Sequence, residues 1–234
     1  MRLEPFTLTG TYVQLEPLTR DHGPALLAAG NRDRSSYGYT PVPATAEEMG
    51  GYLDWLLADA ARDAVVPFVQ RRLADDTPVG CTRFLNVTWY KGRDSPAEVE
   101  IGGTWLAADA QRSPMNTEAK LLLLTHAFEQ WHVFRVAICT DARNQQSRAA
   151  IERLGAHFEG ILRQHRASTG HGGLRGPAHQ GRRLRHHPHP DPALPRGRGG
   201  LDDADVGGAR DHGGGHHRRH RAGRRQTAAV LHPG

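Results

Sequence analysis

The chain has 234 residues and a formal charge of +5, but the charge is unevenly placed. Residues 167–234 hold 12 Arg, 5 Asp and ten of the fifteen His, whereas the first 166 residues hold 18 Lys or Arg against 20 Asp or Glu. The basic balance therefore belongs to the C-terminal segment and is no argument for a nucleic-acid-binding fold, and the lack of an apolar run of about 18 residues excludes a membrane-spanning helix.

The elements are read from periodicity. Residues 11–16 alternate, with Val13 and Leu15 on one side, as a first strand. A helix begins near Asp21 and carries Leu26, Leu27 and Ala29. The polar stretch 31–40, with Tyr37 and Tyr39, is a loop. Thr45 and Glu48 form a capping-box pair ahead of a helix whose buried face is Tyr52, Leu53, Leu56 and Leu57. Residues 64–71 and 79–89 make a hairpin, and 97–106 adds a third consecutive strand.

Asn116 is the expected N-cap of a helix over 117–131 that buries Leu121, Leu124, Phe128 and Trp131. Residues 135–140 are a short buried strand. Asn144 caps a helix with Ala150, Ile151 and Leu154 on its apolar side, and Gly155 ends it. Residues 157–162 form a last strand. Three antiparallel strands followed by strand–helix–strand–helix–strand give an α/β class, a mixed sheet with helices on both faces.

The stretch 100–118 runs from strand through a polar loop into a helix N-terminus, which suits an anion such as a pyrophosphate. Pro114 stands in that loop where a glycine would help a phosphate approach. Cys81 and Cys139 sit in apolar runs and are expected as buried reduced thiols, with a cytoplasmic setting. No secretory signal pattern opens the chain. No spacing among the tail histidines resembles a closed zinc site, so no metal is expected.

Residues 167–234 lack large apolar side chains and are expected to be disordered, leaving 1–166 as the folded domain. A reading-frame change is one origin for them. With suitable codons, residues 179–188 read one base later can spell Ile-Arg-Asp-Val-Val-Tyr-Val-Ile-Thr-Pro, an apolar strand.

Several motifs in fixed order carry a resemblance over residues 6–166. They are the opening from Phe6 to Leu18, the loop Gln111-Arg-Ser-Pro-Met-Asn116, then Asn144-Gln-Gln-Ser147, Leu154-Gly155-Ala156 and Glu159-Gly160. In these the chain resembles the GNAT N-acetyltransferases, within them the RimJ/RimL-type group. The resemblance implies the GNAT fold, with its final strand missing or replaced here after residue 166. It implies acetyl-CoA as co-substrate, no metal, and direct attack of a primary amine, of a protein N-terminus or a small molecule, on the thioester.

Gln111, Arg112, Ser113, Met115, Asn116 and Thr117 would hold the pyrophosphate. Trp105 and Leu106 would offer backbone groups to the cofactor, and Asn144 would bond its pantetheine arm. Glu100 is the expected base, with Glu98 second, and Ser147 the acid for the leaving thiolate. Tyr37 and Tyr39 would line the acceptor pocket. Dimers are common in the group, so a homodimer is carried as an expectation; membrane and nucleic-acid partners are not expected. The competing reading is a catalytically impaired acyl-CoA-binding module.

Overall fold

The computed structural model describes residues 3–163, 165 and 225–231. One eight-stranded sheet organises them: β1 (Leu8–Thr9), β2 (Val13–Pro17), β3 (Val65–Arg72), β4 (Thr77–Thr88), β5 (Glu98–Leu106), β6 (Arg135–Asp141), β7 (His157–Arg163) and β8 (Arg225–Leu231). Their spatial order is β1-β2-β3-β4-β5-β6-β8-β7. Only the β5–β6 pair is parallel, as expected for strands joined by a helical crossover.

The helices α1 (Gly23–Asn31) and α2 (Ala46–Ala60) pack on one face, where Leu26, Met49, Leu53, Leu56, Val69 and Trp105 meet. On the other face α3 (Met115–Thr125) and α4 (Gln145–Glu152) close over Phe84, Ile101, Ala119, Leu123, Ile138 and Ile151. Among the described residues no helix is long and apolar enough to cross a membrane.

The local signals explain most element starts. The Thr45 side chain accepts the Glu48 N–H at 3.1 Å, while the Glu48 carboxylate reaches back to the Ala44 N–H at 2.8 Å. Asn144 Oδ1 accepts the Ser147 N–H at 3.0 Å and opens α4. Gly155, at φ +82°, ends that helical segment in the left-handed region.

Three expectations need correction. Asn116 does not cap α3; the cap is Pro114, whose ring presets φ at −62°, and Ser113 Oγ accepts the Met115 N–H at 3.4 Å. The helix thus begins earlier than expected, and its buried residues are Met115, Ala119, Lys120 and Leu123. Leu121 is 60% exposed. A pattern that counts Lys as polar cannot find a face that buries one. The helical path then loosens into a π-helical turn at His126–Gln130.

The third correction concerns the sheet. The C-terminal segment, expected to be without structure, supplies β8, which lies between β6 and β7 and pairs antiparallel with both. Ala229 and Val230 are buried. The final-strand position is thus filled by a replacement strand. Residues 167–224 and 232–234, including the stretch 179–188, lie outside the described residues.

The first turn of α3 is tied to the sheet edge by a carboxylate. Glu118 accepts the backbone N–H groups of Thr11, Tyr12 and Val13 at 2.7–2.9 Å. Burial alone would raise its pKa, but these donors together hold the carboxyl below the usual range. Gly10 makes the approach possible: a Cβ there would lie 2.4 Å from the Glu118 carboxyl carbon.

Candidate active site

The pairing between β5 and β6 is short. Glu98, Val99 and Glu100 oppose Arg135, Val136 and Ala137, and beyond Glu100 the two strands have no register. β6 continues to Asp141 paired only with β8. A V-shaped opening therefore lies between residues 101–106 and 138–141, bordered by β5 backbone groups that no β6 residue occupies. The loop to α3 leaves from the end of β5, and α4 starts after the end of β6. Both helix N-termini therefore stand at the mouth of the V.

Glu100 sits at its closed end. The side chain is 4% exposed, and Asn86 Nδ2 donates to its Oε2 at 2.7 Å. Strand alternation puts Val99 and Ile101 in the α3-side core and Glu100 on the α1/α2 side. Glu98 lies two residues back on the same side. Its carboxylate accepts the Tyr90 hydroxyl at 2.7 Å near the surface, which leaves it a peripheral group.

The centre of β5 is irregular. Gly102 opposes Arg83 and Trp105 opposes Cys81, so Gly103 and Thr104 together face Thr82 in a β-bulge. Gly103 has φ +57°, and a Cβ there would fall 2.3 Å from the Arg83 guanidinium. Glycine is thus required both for the backbone and for seating Arg83, which lies 5.0 Å from the centre of the Trp55 ring. On the opposite face Thr104 meets Lys120. The Lys120 ammonium donates to Thr104 Oγ1 at 2.5 Å and Thr82 Oγ1 at 3.2 Å, and the two hydroxyls bond each other at 2.8 Å.

Among the described residues no carboxylate is ion-paired with Lys120. Burial pushes its pKa down to about 7. The unfolded chain therefore binds this proton through the window from about 7 to 10.5 in which the native state has released it, and stability rises with pH there. Lys120→Met is expected to raise stability at pH 7 by about 1–3 kcal/mol, because Thr82 and Thr104 keep each other as partners. The gap should narrow at pH 10. Urea unfolding of both proteins at the two pH values checks this; an equal gap at both would mean that Lys120 is not buried uncharged.

The loop residues expected to grip a cofactor are brought together. Arg112 is exposed, with φ +56° in the left-handed region, one residue before Ser113. The Ser113 hydroxyl donates to Ala110 O at 2.6 Å. Met115 is a core residue, so it can offer only backbone. Asn116 and Thr117 occupy the first turn of α3, where helix geometry gives their N–H groups no acceptor within the helix. These groups fit an anionic diphosphate by dipole and by donor; Pro114 contributes none.

Gln111 has a different task. Its Nε2 donates to Leu106 O at 2.9 Å and to Ser36 Oγ at 2.8 Å, pinning the 31–44 loop to the end of β5. The Trp105 side chain is buried in the α1/α2 core, and its carbonyl accepts from Gln70 at 3.3 Å. Tyr37 packs edge-on against Trp105, with ring centres 6.3 Å apart, and burial raises its pKa. Tyr39 lies under the Arg143 guanidinium at 5.3 Å, and Arg143 pairs with Asp141 at 2.7 Å. Both tyrosines therefore join the loop to the walls of the V. Ser147 is half-buried in the first turn of α4, across the opening from β5.

Cys81 is buried as expected, but Cys139 is only half-buried. β6 parts from β5 before Cys139, which uncovers it on the side that Glu100 faces. Glu100, Cys139 and His165 bring their oxygen, sulfur and ring nitrogen within 4.8 Å of one another. Sequence reading had no means of finding this cluster, or the Lys120–Thr82–Thr104 set. Each combines residues from elements far apart in the chain, with no local spacing to mark it.

The family model of the acetyltransferase (GNAT) domain matches residues 13–157. YdaF of Bacillus subtilis (strain 168), named as a ribosomal N-acetyltransferase, is 30% identical over 112 residues, 45% of this chain and 61% of YdaF. The chain thus spans about three fifths of that relative's length.

A GCN5-related N-acetyltransferase from Brucella melitensis superposes with a TM-score of 0.68 at 21% identity, covering 99% of this chain and 80% of that one. Mycobacterium smegmatis RimJ, solved in complex with CoA-disulfide, gives 0.65 at 17% identity, covering 97% and 88%. These two share the fold. The names of YdaF and RimJ agree with the RimJ/RimL-type resemblance seen in the sequence motifs.

Proposed function

The chain belongs to the GNAT acetyltransferase family, and from that premise we propose that it transfers the acetyl group of acetyl-CoA to a primary amine by direct attack on the thioester. The observation that carries this reading is the V between β5 and β6, with a buried carboxylate at its closed end and two helix N-termini at its mouth. In this reading the loop 111–117 and the start of α3 hold the pyrophosphate. The pantetheine arm runs along the open edge of β5 beside Asn144. Holding thioester and amine in one cleft supplies proximity.

Glu100 takes the proton from the incoming ammonium, directly or through water. The free amine attacks the thioester carbon, and a backbone N–H in the stretch 103–106 stabilises the oxyanion. The carbon–sulfur bond breaks as Ser147 donates its proton to the leaving thiolate, and the second proton of the attacking nitrogen returns to Ser147 directly or through water, giving amide and free CoA. In this reading Tyr37 and Tyr39 line the acceptor pocket. The names of YdaF and RimJ favour a protein amine as acceptor over a small molecule.

The reading as an impaired acyl-CoA-binding module rested on Pro114 and on a lost final strand. Now that β8 fills that place, Pro114 alone favours it.

The test is to incubate the protein with acetyl-CoA and a panel of amines and N-terminal peptides, follow free thiol, and measure CoA binding alongside. Acceptor-dependent thiol release is expected. CoA binding without turnover would support the impaired module, and no CoA binding would overturn both readings. Ser147→Ala should lower turnover about 10²-fold while CoA affinity stays unchanged. Undiminished turnover would remove Ser147 from the mechanism.

A further inference from the structure

We propose that Glu100, Cys139 and His165 form a binding site for a transition-metal ion of the zinc type. Their ligand atoms all lie within 4.8 Å of one another. Two of them come from β5 and β6 and the third from the chain just beyond β7, so residues far apart in sequence meet here. Thiolate, imidazole and carboxylate together make a soft-to-borderline donor set. It suits zinc or cobalt and disfavours magnesium or calcium, which take oxygen ligands.

In a tetrahedral zinc site bond lengths of about 2.0–2.3 Å put neighbouring ligand atoms roughly 3.3–3.7 Å apart. The widest separation in the cluster must therefore shrink by about 1.1–1.5 Å. Glu100 is buried and oriented by Asn86 through Oε2, and Cys139 is carried by a paired strand. His165 is exposed, so a turn about its side-chain torsions supplies the movement. The Asn86 contact orients a ligand from outside the site, as partners of metal-bound carboxylates commonly do.

The site stands on the geometry of these residues alone. Its consequence rests on the functional reading above: a bound ion engages Glu100, so metal holds the proton acceptor and switches transfer off.

The experiment is a cobalt(II) titration of the metal-free, reduced full-length chain, followed by absorption. The ten histidines at 167–234 can also take up cobalt, so total uptake is not the readout. A thiolate-to-cobalt charge-transfer band is. The chain has two cysteines, and Cys81 is fully buried with its thiol pushed up to about 12, which leaves Cys139 to produce the band.

The band should saturate at the intensity of one thiolate-bound cobalt per chain, zinc should displace it, Cys139→Ser should abolish it, and His165→Ala should weaken the affinity at least tenfold. Absence of a thiolate band, or its persistence in Cys139→Ser, overturns the site. His165→Ala is an exposed substitution that keeps the test independent of folding. Acceptor-dependent thiol release by the metal-free protein is measured separately. Transfer without a band defeats the metal site alone; a band without transfer supports the site and defeats the functional reading.

Discussion

Glu100→Gln is expected to slow acetyl transfer at neutral pH by a factor of about 10²–10⁴, with CoA affinity unchanged. Gln has the size of Glu, and its amide oxygen can still accept from Asn86 Nδ2, so the end of the V keeps its shape. What it loses is the capacity to take a proton. The pH dependence separates this cause from a packing defect. As pH rises toward the acceptor's own pKa, the amine arrives already deprotonated and needs no base. The deficit of the variant should therefore shrink with pH, whereas a distorted site would show the same deficit throughout. Glu98→Gln is the matched control, because that carboxylate is engaged by Tyr90 near the surface. A Glu98 variant with the larger loss and a Glu100 variant with wild-type rate would reassign the base. The measurement is kcat and kcat/KM across pH for both variants.

The sequence was most legible where a residue acts through its own neighbours in the chain. Thr45, Asn144 and Gly155 mark helix ends because capping is a local transaction between a side chain and the next turn. The central strands showed in their apolar β-branched and aromatic runs. Legibility failed where a tertiary contact overrides a local preference. Asn116 is a better cap by type than Pro114, yet the Ser113 hydroxyl and the proline's fixed φ start the helix first. Leu121 looks buried and Lys120 exposed until Thr82 and Thr104 on the sheet claim the ammonium.

Part of the candidate site shows the same limit. That Glu100 and the 111–117 loop lie on one strand–loop–helix unit could be read because those elements are contiguous in the chain. His165 and Cys139 join Glu100 only through the pairing of β6, β8 and β7, which no spacing in the chain announces. The tail failed for a statistical reason. Averaged over residues 167–234, Gly, Arg, His and Pro dominate and no core is possible. The short run Thr-Ala-Ala-Val-Leu at 227–231 is nevertheless apolar and β-branched enough to pair with β6 on one side and β7 on the other.

That strand leads to the second large effect. Val230→Asp is expected to destabilise the protein by on the order of 4 kcal/mol, combining a lost apolar side chain with a carboxylate that has no solvent. Val230 is 0% exposed and opposes Ala137 on one side and His157 on the other. A chain ended at residue 166 should fare worse. β7 joins the sheet only through β8, so without β8 it loses its pairing and β6 becomes a bare edge next to the site. Cys139, which opposes Ala228, would then lie on an unpaired strand. Thermal unfolding by circular dichroism and CoA binding should both show the loss. The truncated chain should aggregate or unfold without a cooperative transition, whereas Val230→Ile, which only adds a methylene, should cost about 1–3 kcal/mol and leave a cooperative transition. If the 1–166 chain melts cooperatively and binds CoA as the full chain does, β8 is dispensable and the first 166 residues are a domain on their own.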